Sequence, residues 1–202
     1  MADIAKQSVL NKSRLDKFIL AFTVPEGLKE YSSRVQRATG VSSYSKVIPN
    51  SLQYAVEGTV VPSVNIPPID QGFDRQVMKI SSHSRVGYDD VTVNFKIDNQ
   101  FNNYWYIYSW LNMISDSKHG SFNYRDELRE VQGAKREKDY MKDYMTDFSL
   151  IGMNEYNNEI IKFTYTKAFP ISLGGIDYNY QTQGEIQSSI AFSFTQMLVE
   201  LV

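Results

Sequence analysis

In the strand segment from Tyr88 to Asp98, hydrophobic and polar positions alternate without a break from Asp90 onward. Val91, Val93, Phe95 and Ile97 fall on one side of an extended chain, and Thr92, Asn94, Lys96 and Asp98 on the other. A period of two marks a strand with one face on a core and one on solvent. The pattern returns at 185–195, where Ile190, Phe192 and Phe194 interleave with Ser189, Ala191, Ser193 and Thr195. Further strands are predicted at Phe18 to Val24 (stopped by Pro25-Glu26-Gly27), Gln53 to Val61, Gln76 to Ser84, and Phe148 to Met153. Ile160 to Ala168, after a turn at Asn157-Asn158, and a short segment at Ile176 to Tyr180 complete the set. Pro62, Pro67 and Pro68 predict an irregular stretch between the second and third strands.

From Phe101 to Ile114 the period changes. Tyr104, Ile107, Tyr108, Leu111 and Ile114 recur at helical spacing, and Trp105 and Trp110 widen the stripe. Asp98 or Asn99 is placed to cap this helix. So apolar a helix must be largely buried, with Trp105, Tyr108 and Leu111 as its expected core positions. About eight strands around one principal helix predict a mainly β fold, an antiparallel β-sandwich or barrel.

Two stretches fall outside the pattern. Residues 28–52 carry Ser, Arg and Lys with little periodicity. Residues 117–145 hold seven Lys or Arg and six Asp or Glu, with breaks at Gly120 and Gly133, as a solvated insertion would. Residues 1–15 are polar and unpatterned and read as an arm. The 202 residues therefore predict a single domain with an arm and two insertions.

Composition narrows the chemistry. No cysteine is present, which removes disulfides and thiol nucleophiles and suits assembly in a reducing cytoplasm. No apolar run is long enough to span a membrane, and a hydrophobic export segment is not seen at the start. The two histidines, His83 and His119, are far apart. His83 lies in Ser81-Ser82-His83-Ser84, but neighbours on a strand point to opposite faces and make a poor catalytic pair. Asp89-Asp90 and Asp126-Glu127 lack the spacing of a calcium loop, and Gly174-Gly175 is followed by neither Lys-Ser/Thr nor a helix. The sequence thus predicts no enzyme, metal site or cofactor. Nor does it suit a nucleic-acid binder: the net charge is −2, and residues 148–202 set Lys162 and Lys167 against Glu155, Glu159, Asp177, Glu185 and Glu200.

Three segments in order, Tyr88-Asp89-Asp90-Val91-Thr92-Val93 leading into the helix, the corner Phe169-Pro170-Ile171-Ser172, and the closing strand Glu185 to Thr195, resemble the tail tube proteins of contractile-tailed bacteriophages. The likeness extends more loosely to the tubes of type VI secretion systems, and it covers residues 53–115 and 145–202. It implies a structural virion protein that stacks as hexameric rings into a tail's inner tube, with the sheets of all copies joined into one barrel. It implies as partners further copies of the chain, the tail sheath protein, and baseplate and tape-measure proteins, with DNA passing through unbound. The insertion at 117–145 would face the sheath. A specialised baseplate or terminator ring, or a type VI secretion tube protein, is the alternative within this class, and a carbohydrate- or cell-binding β-sandwich is the alternative outside it.

A duct for DNA needs a polar, small-featured wall without cations. Two strand faces qualify: Thr92, Asn94 and Lys96, and Ser189, Ala191, Ser193 and Thr195. The second lacks any positive charge and is the expected lumen lining.

Overall fold

The computed structural model describes residues 13–25, 27–28, 55–115, 143–181 and 183–202. Among them are nine strands and one long helix. The strands are β1 (Phe18–Phe22), β2 (Val56–Thr59), β3 (Pro68–Phe73), β4 (Gln76–Ser81), β5 (Val91–Lys96), β6 (Thr146–Met153), β7 (Glu159–Leu173), β8 (Gln187–Ser193) and β9 (Gln196–Leu201); the helix, α1, is Asn102–Ile114. All pairings are antiparallel, which gives the mainly β architecture that the alternating segments predict.

Seven strands form one continuous sheet in the order β1-β6-β7-β8-β5-β2, with β9 also on β7. It folds over along β7. Residues 161–166 of β7 pair with β9 and residues 159–168 with β6, whereas residues 169–173 pair with β8. One half is therefore β1, β6, the start of β7 and β9, and the other is the end of β7, β8, β5 and β2. The fold line has a local cause. Lys167 takes a left-handed backbone (φ 52°), and its N–H donates to Asp147 Oδ1 at 2.8 Å. Asp147 of β6 stands alone opposite Thr166 and Lys167, so the extra residue is on β7, and a second extra residue, Ile171, follows on the same strand. Bulges of this kind let a strand leave one sheet for another.

The core fills the space between the halves. Leu20, Phe148, Leu150, Tyr165 and Met197 come from one half, and Val91, Val93, Phe95, Ile190 and Phe192 from the other. Phe148 and Phe192 meet across the layer at 5.0 Å between ring centroids, and Phe148 stacks on Tyr165 at 4.6 Å. Helix α1 closes one side through Tyr106, Ile107, Trp110 and Met113. Trp110 lies 5.8 Å from Phe192, and its Nε1–H donates to the Tyr144 carbonyl at 2.9 Å.

The start of the helix is fixed by polar side chains. Asp98 Oδ1 accepts the N–H groups of Gln100 (3.1 Å) and Asn102 (2.8 Å), the capping role expected of it, although Phe101 occupies the cap position itself. Asn103, fully buried, donates through Nδ2 to the Lys96 carbonyl at 2.7 Å and accepts the Asp98 N–H at 3.2 Å. This stitches α1 to the end of β5.

Several sequence expectations need correction. The proline-rich stretch is not irregular throughout: Pro68 opens β3, where a missing N–H is tolerated, and β3 and β4 form a separate hairpin turning at Asp74-Arg75. The sixth predicted strand runs on through Phe169-Pro170 to Leu173, and Ile176 to Tyr180 is not a strand. The closing segment is a strand only over β8; the chain turns a corner at Phe194-Thr195, and β9 follows beyond the predicted range. Within the helix the buried tryptophan is Trp110; Trp105 and Leu111 are half-buried and Tyr108 is 45% exposed, so Tyr108 is not a core position of the single chain.

The arm at 1–15 and the insertions at 28–52 and 117–145 lie outside the described residues except at their ends. The ends of the two insertions belong to the body: Leu28 is in the core, and Tyr144 packs against it.

Candidate conduit face and assembly edges

The half-sheet of β7's end, β8, β5 and β2 has two unlike surfaces. Its inner side carries Val91, Val93, Phe95, Ile190 and Phe192, each at most 1% exposed. Its outer side is small and polar. Thr92 sits opposite Ala191, Asn94 opposite Ser189, and Lys96 opposite Gln187. The alternation at 185–195 therefore points as expected, with Ile190 and Phe192 inward and Ser189, Ala191 and Ser193 outward. The structure brings these three together with Thr92 and Asn94, two faces that the sequence offered as rivals. Thr195 does not join them: it lies at the corner after β8, and its N–H donates to the Thr166 carbonyl at 3.0 Å.

Close packing of backbone keeps the face shallow. Gly174 N–H donates to the Ser189 carbonyl at 2.7 Å, and a Cβ at position 174 would meet Ser189 Oγ at 2.6 Å. Only glycine fits such an approach. Ser188 turns inward and its hydroxyl donates to the Gly174 carbonyl at 3.0 Å. A wide, open groove follows, lined by Glu57, Gly58, Asn94, Gly174, Gln187 and Ser189.

One cation stands among the strand residues of this half-sheet, Lys96, and carboxylates hold it from two sides. Its Nζ is 3.0 Å from Glu57 Oε1 and 2.5 Å from Glu185 Oε2. The hydrogen bond the ammonium donates to Glu185, then the one it donates to Glu57, raises the lysine's pKa. Sequence reasoning identified Lys96 but not its partners. Glu57 is the residue expelled by a register shift between Val56 and Gly58, and Glu185 precedes β8, so neither spacing announces the contact.

Both margins of the half-sheet are open among the described residues. β2 pairs with β5 alone, and residues 169–173 pair with β8 alone. The β3–β4 hairpin leaves between the end of β2 and the start of β5. Register places Ile69, Met78 and Ile80 on one of its faces, and all three are exposed. At the opposite end of the half-sheet, the β7–β8 loop exposes Tyr178 and Tyr180.

The sequence model of the family described as phage tail tube protein matches residues 13–200. The chain belongs to this family.

Solved structures agree on the fold. The tube-terminating cap of the anti-feeding prophage is similar over 100% of both chains, with a TM-score of 0.58 and 14% identity. A chain from the sheath–tube complex of the PVC extracellular contractile injection system, in its extended state, is similar over 100% of both chains at a TM-score of 0.53 and 8% identity. A chain from the PVC sheath/tube terminator matches over 96% of this chain and 99% of its own, with a TM-score of 0.51 and 10% identity. Comparison with curated protein sequences gives no match. Family membership makes the chain a structural component of a phage tail tube.

The residues weighed for other chemistry are placed as follows. His83 is exposed in a loop with φ 55°, and the local hydrogen bonds run from Ser82 Oγ to the Ser84 carbonyl and from the His83 N–H to Ser81 Oγ. His119 and Asp126-Glu127 lie outside the described residues. Among the described residues, no group of three or more His, Asp or Glu could hold a metal ion, and no helix is long and apolar enough to cross a membrane. Trp110, 1% exposed, has no face to stack on a sugar.

Proposed function

We propose that the chain forms hexameric rings that stack into the inner tube of a contractile phage tail, and that the outer face of the β7–β8–β5–β2 half-sheet lines the bore. The observation that carries this reading is the half-sheet itself. It is apolar inward and small and polar outward, and among the described residues it is unpaired along both margins. An open edge is a site of promiscuous pairing unless another chain covers it. Joining β2 of one copy to residues 169–173 of the next covers both edges at once, and rotation closes the set into a barrel without free edges.

Stacking follows from the two ends. The hairpin presents Ile69, Met78 and Ile80 at one end of the half-sheet, and the β7–β8 loop presents Tyr178 and Tyr180 at the other. Ring upon ring, the hairpin of one copy meets the loop end of the next, a head-to-tail contact that repeats without limit. The sheath, baseplate and tape-measure proteins are the partners of such a tube, which is assembled in the host cytoplasm and carried in the virion tail. The bore passes the genome on ejection without binding it.

Negative-stain microscopy of the purified protein tests this directly. Rings or tubes are expected. A 23.2 kDa monomer at every accessible concentration, with or without baseplate, would contradict the proposal. Rings that never stack would instead assign the chain to a terminating or baseplate ring.

A further inference from the structure

We propose that Glu57 and Glu185 act as a charge clamp on Lys96, keeping the one cation among the described strand residues of the conduit half-sheet from gripping the phosphates of passing DNA. The inference rests on reading that half-sheet as the wall of the bore.

Around Lys96 the outer face offers hydroxyls, amides and glycine: Thr92, Asn94, Ser189, Gln187 and Gly58. None of these carries charge. A free lysine here would be a mobile ammonium on a four-carbon stem, able to follow a phosphate backbone. Each such contact adds affinity and salt dependence, and every copy in a ring would add its own. The structure instead places two carboxylates on the ammonium, from two different strand neighbours. Glu57 comes from the bulge on β2, and Glu185 from the residues just before β8, so Lys96 on the strand between is approached from both flanks. The local charge becomes −1 where the lysine alone would leave +1.

Stability is a weak explanation for the arrangement. The side chains are 43% (Lys96), 33% (Glu57) and 70% (Glu185) exposed, and ion pairs so open to water contribute little to folding. What they change is the field at the surface. The sign of that field decides whether a polyanion slides past or is held.

The test uses the full chain and a duplex DNA of random sequence, read by electrophoretic shift at low and high salt, with ring formation scored by microscopy. The double variant Glu57→Gln/Glu185→Gln is expected to retain DNA roughly tenfold more tightly than wild type at low salt, and no better at high salt. Adding Lys96→Met to it should return retention to the wild-type level. Lys96→Met alone should leave retention unchanged, because the clamp already silences the cation.

A triple variant that binds DNA as tightly as the double would overturn the proposal, as would a folded double variant with unchanged retention. If the double variant fails to fold, Glu185→Gln alone serves. It lies before β8, outside the strand ladder, and must still raise retention about threefold; no rise overturns the proposal. The shift assay works on soluble subunits, so a wild type without rings would refute the tube reading while the clamp is still judged on its own result.

Discussion

Tryptophans 105 and 110 sit five positions apart on one helix, and the structure gives them unequal roles. Trp110 is 1% exposed, packed on Tyr106 and Phe192, with its ring N–H satisfied by the Tyr144 carbonyl. Trp105 is half-buried. Trp110→Ala is therefore expected to cost about 3–5 kcal/mol, the usual toll for emptying a large aromatic site. Trp105→Ala should cost at least ~1 kcal/mol less, and paired urea denaturation curves would show the order. The helical stripe in the sequence did not separate them, because seven of the eight residues from Tyr104 to Leu111 are aromatic or aliphatic, and just over two turns so filled leave the phase of the helix open. The phase is set by Phe192 and Tyr144, which are distant in sequence. The exposure of Tyr108 has the same origin.

Tyr165 gives a second prediction at this scale. Its ring is fully buried and its hydroxyl has no hydrogen-bond partner among the described residues. Burial pushes its pKa up from 10.0 to about 12. The unfolded chain then loses this proton first as pH rises. The stabilisation is complete below about pH 10 and is lost as the pH climbs toward 12. Tyr165→Phe should flatten this alkaline decline, measured as denaturation midpoints across that range. An equally steep decline in the variant would assign it to other groups, among them Tyr106, which burial also shifts upward.

At the scale of elements, strands that alternate cleanly were legible and those built on exceptions were not. β5 and β8 declare themselves by Val91, Val93 and Phe95 and by Ile190 and Phe192, and the structure buries all five. β3 was hidden by Pro68, which in a central strand would break the ladder but at the first position of a two-stranded hairpin costs one donor facing away. β9 was hidden because the corner at Phe194-Thr195 contains neither Gly nor Pro and looks like continuing strand. The bend in β7 rests on Lys167 and Asp147, a contact between residues 20 positions apart that no local pattern shows.

The hairpin also carries a prediction. Ile69, Met78 and Ile80 share one exposed face and none belongs to the core cluster. Ile69→Ser/Met78→Ser/Ile80→Ser should melt within a few degrees of wild type, since exposed positions contribute little to the fold. In microscopy the same variant should give rings that do not lengthen into tubes. Unimpaired tubes would remove the hairpin from the stacking contact.

For the whole molecule, the sequence carried the fold class and the inward or outward sense of the β5 and β8 side chains, because both follow from periodicity within a strand. It did not carry the clamp on Lys96 or the closeness of the two polar faces, because both depend on β5 lying beside β8 and β2. Nor does one chain's pattern state which edge meets which. Among the described residues, β2 and residues 169–173 each leave one backbone edge unpaired, and the proposed ring joins them. Joining these two edges would fix which face lines the bore. The most direct measurement is a cryo-EM reconstruction of the assembled protein. It should show β2 of each copy hydrogen-bonded to residues 169–173 of its neighbour, with Thr92, Asn94, Ser189, Ala191 and Ser193 facing the channel and Ile190 and Phe192 enclosed. A channel lined by β1, β6 and β9, or rings in which these two edges never meet, would contradict it.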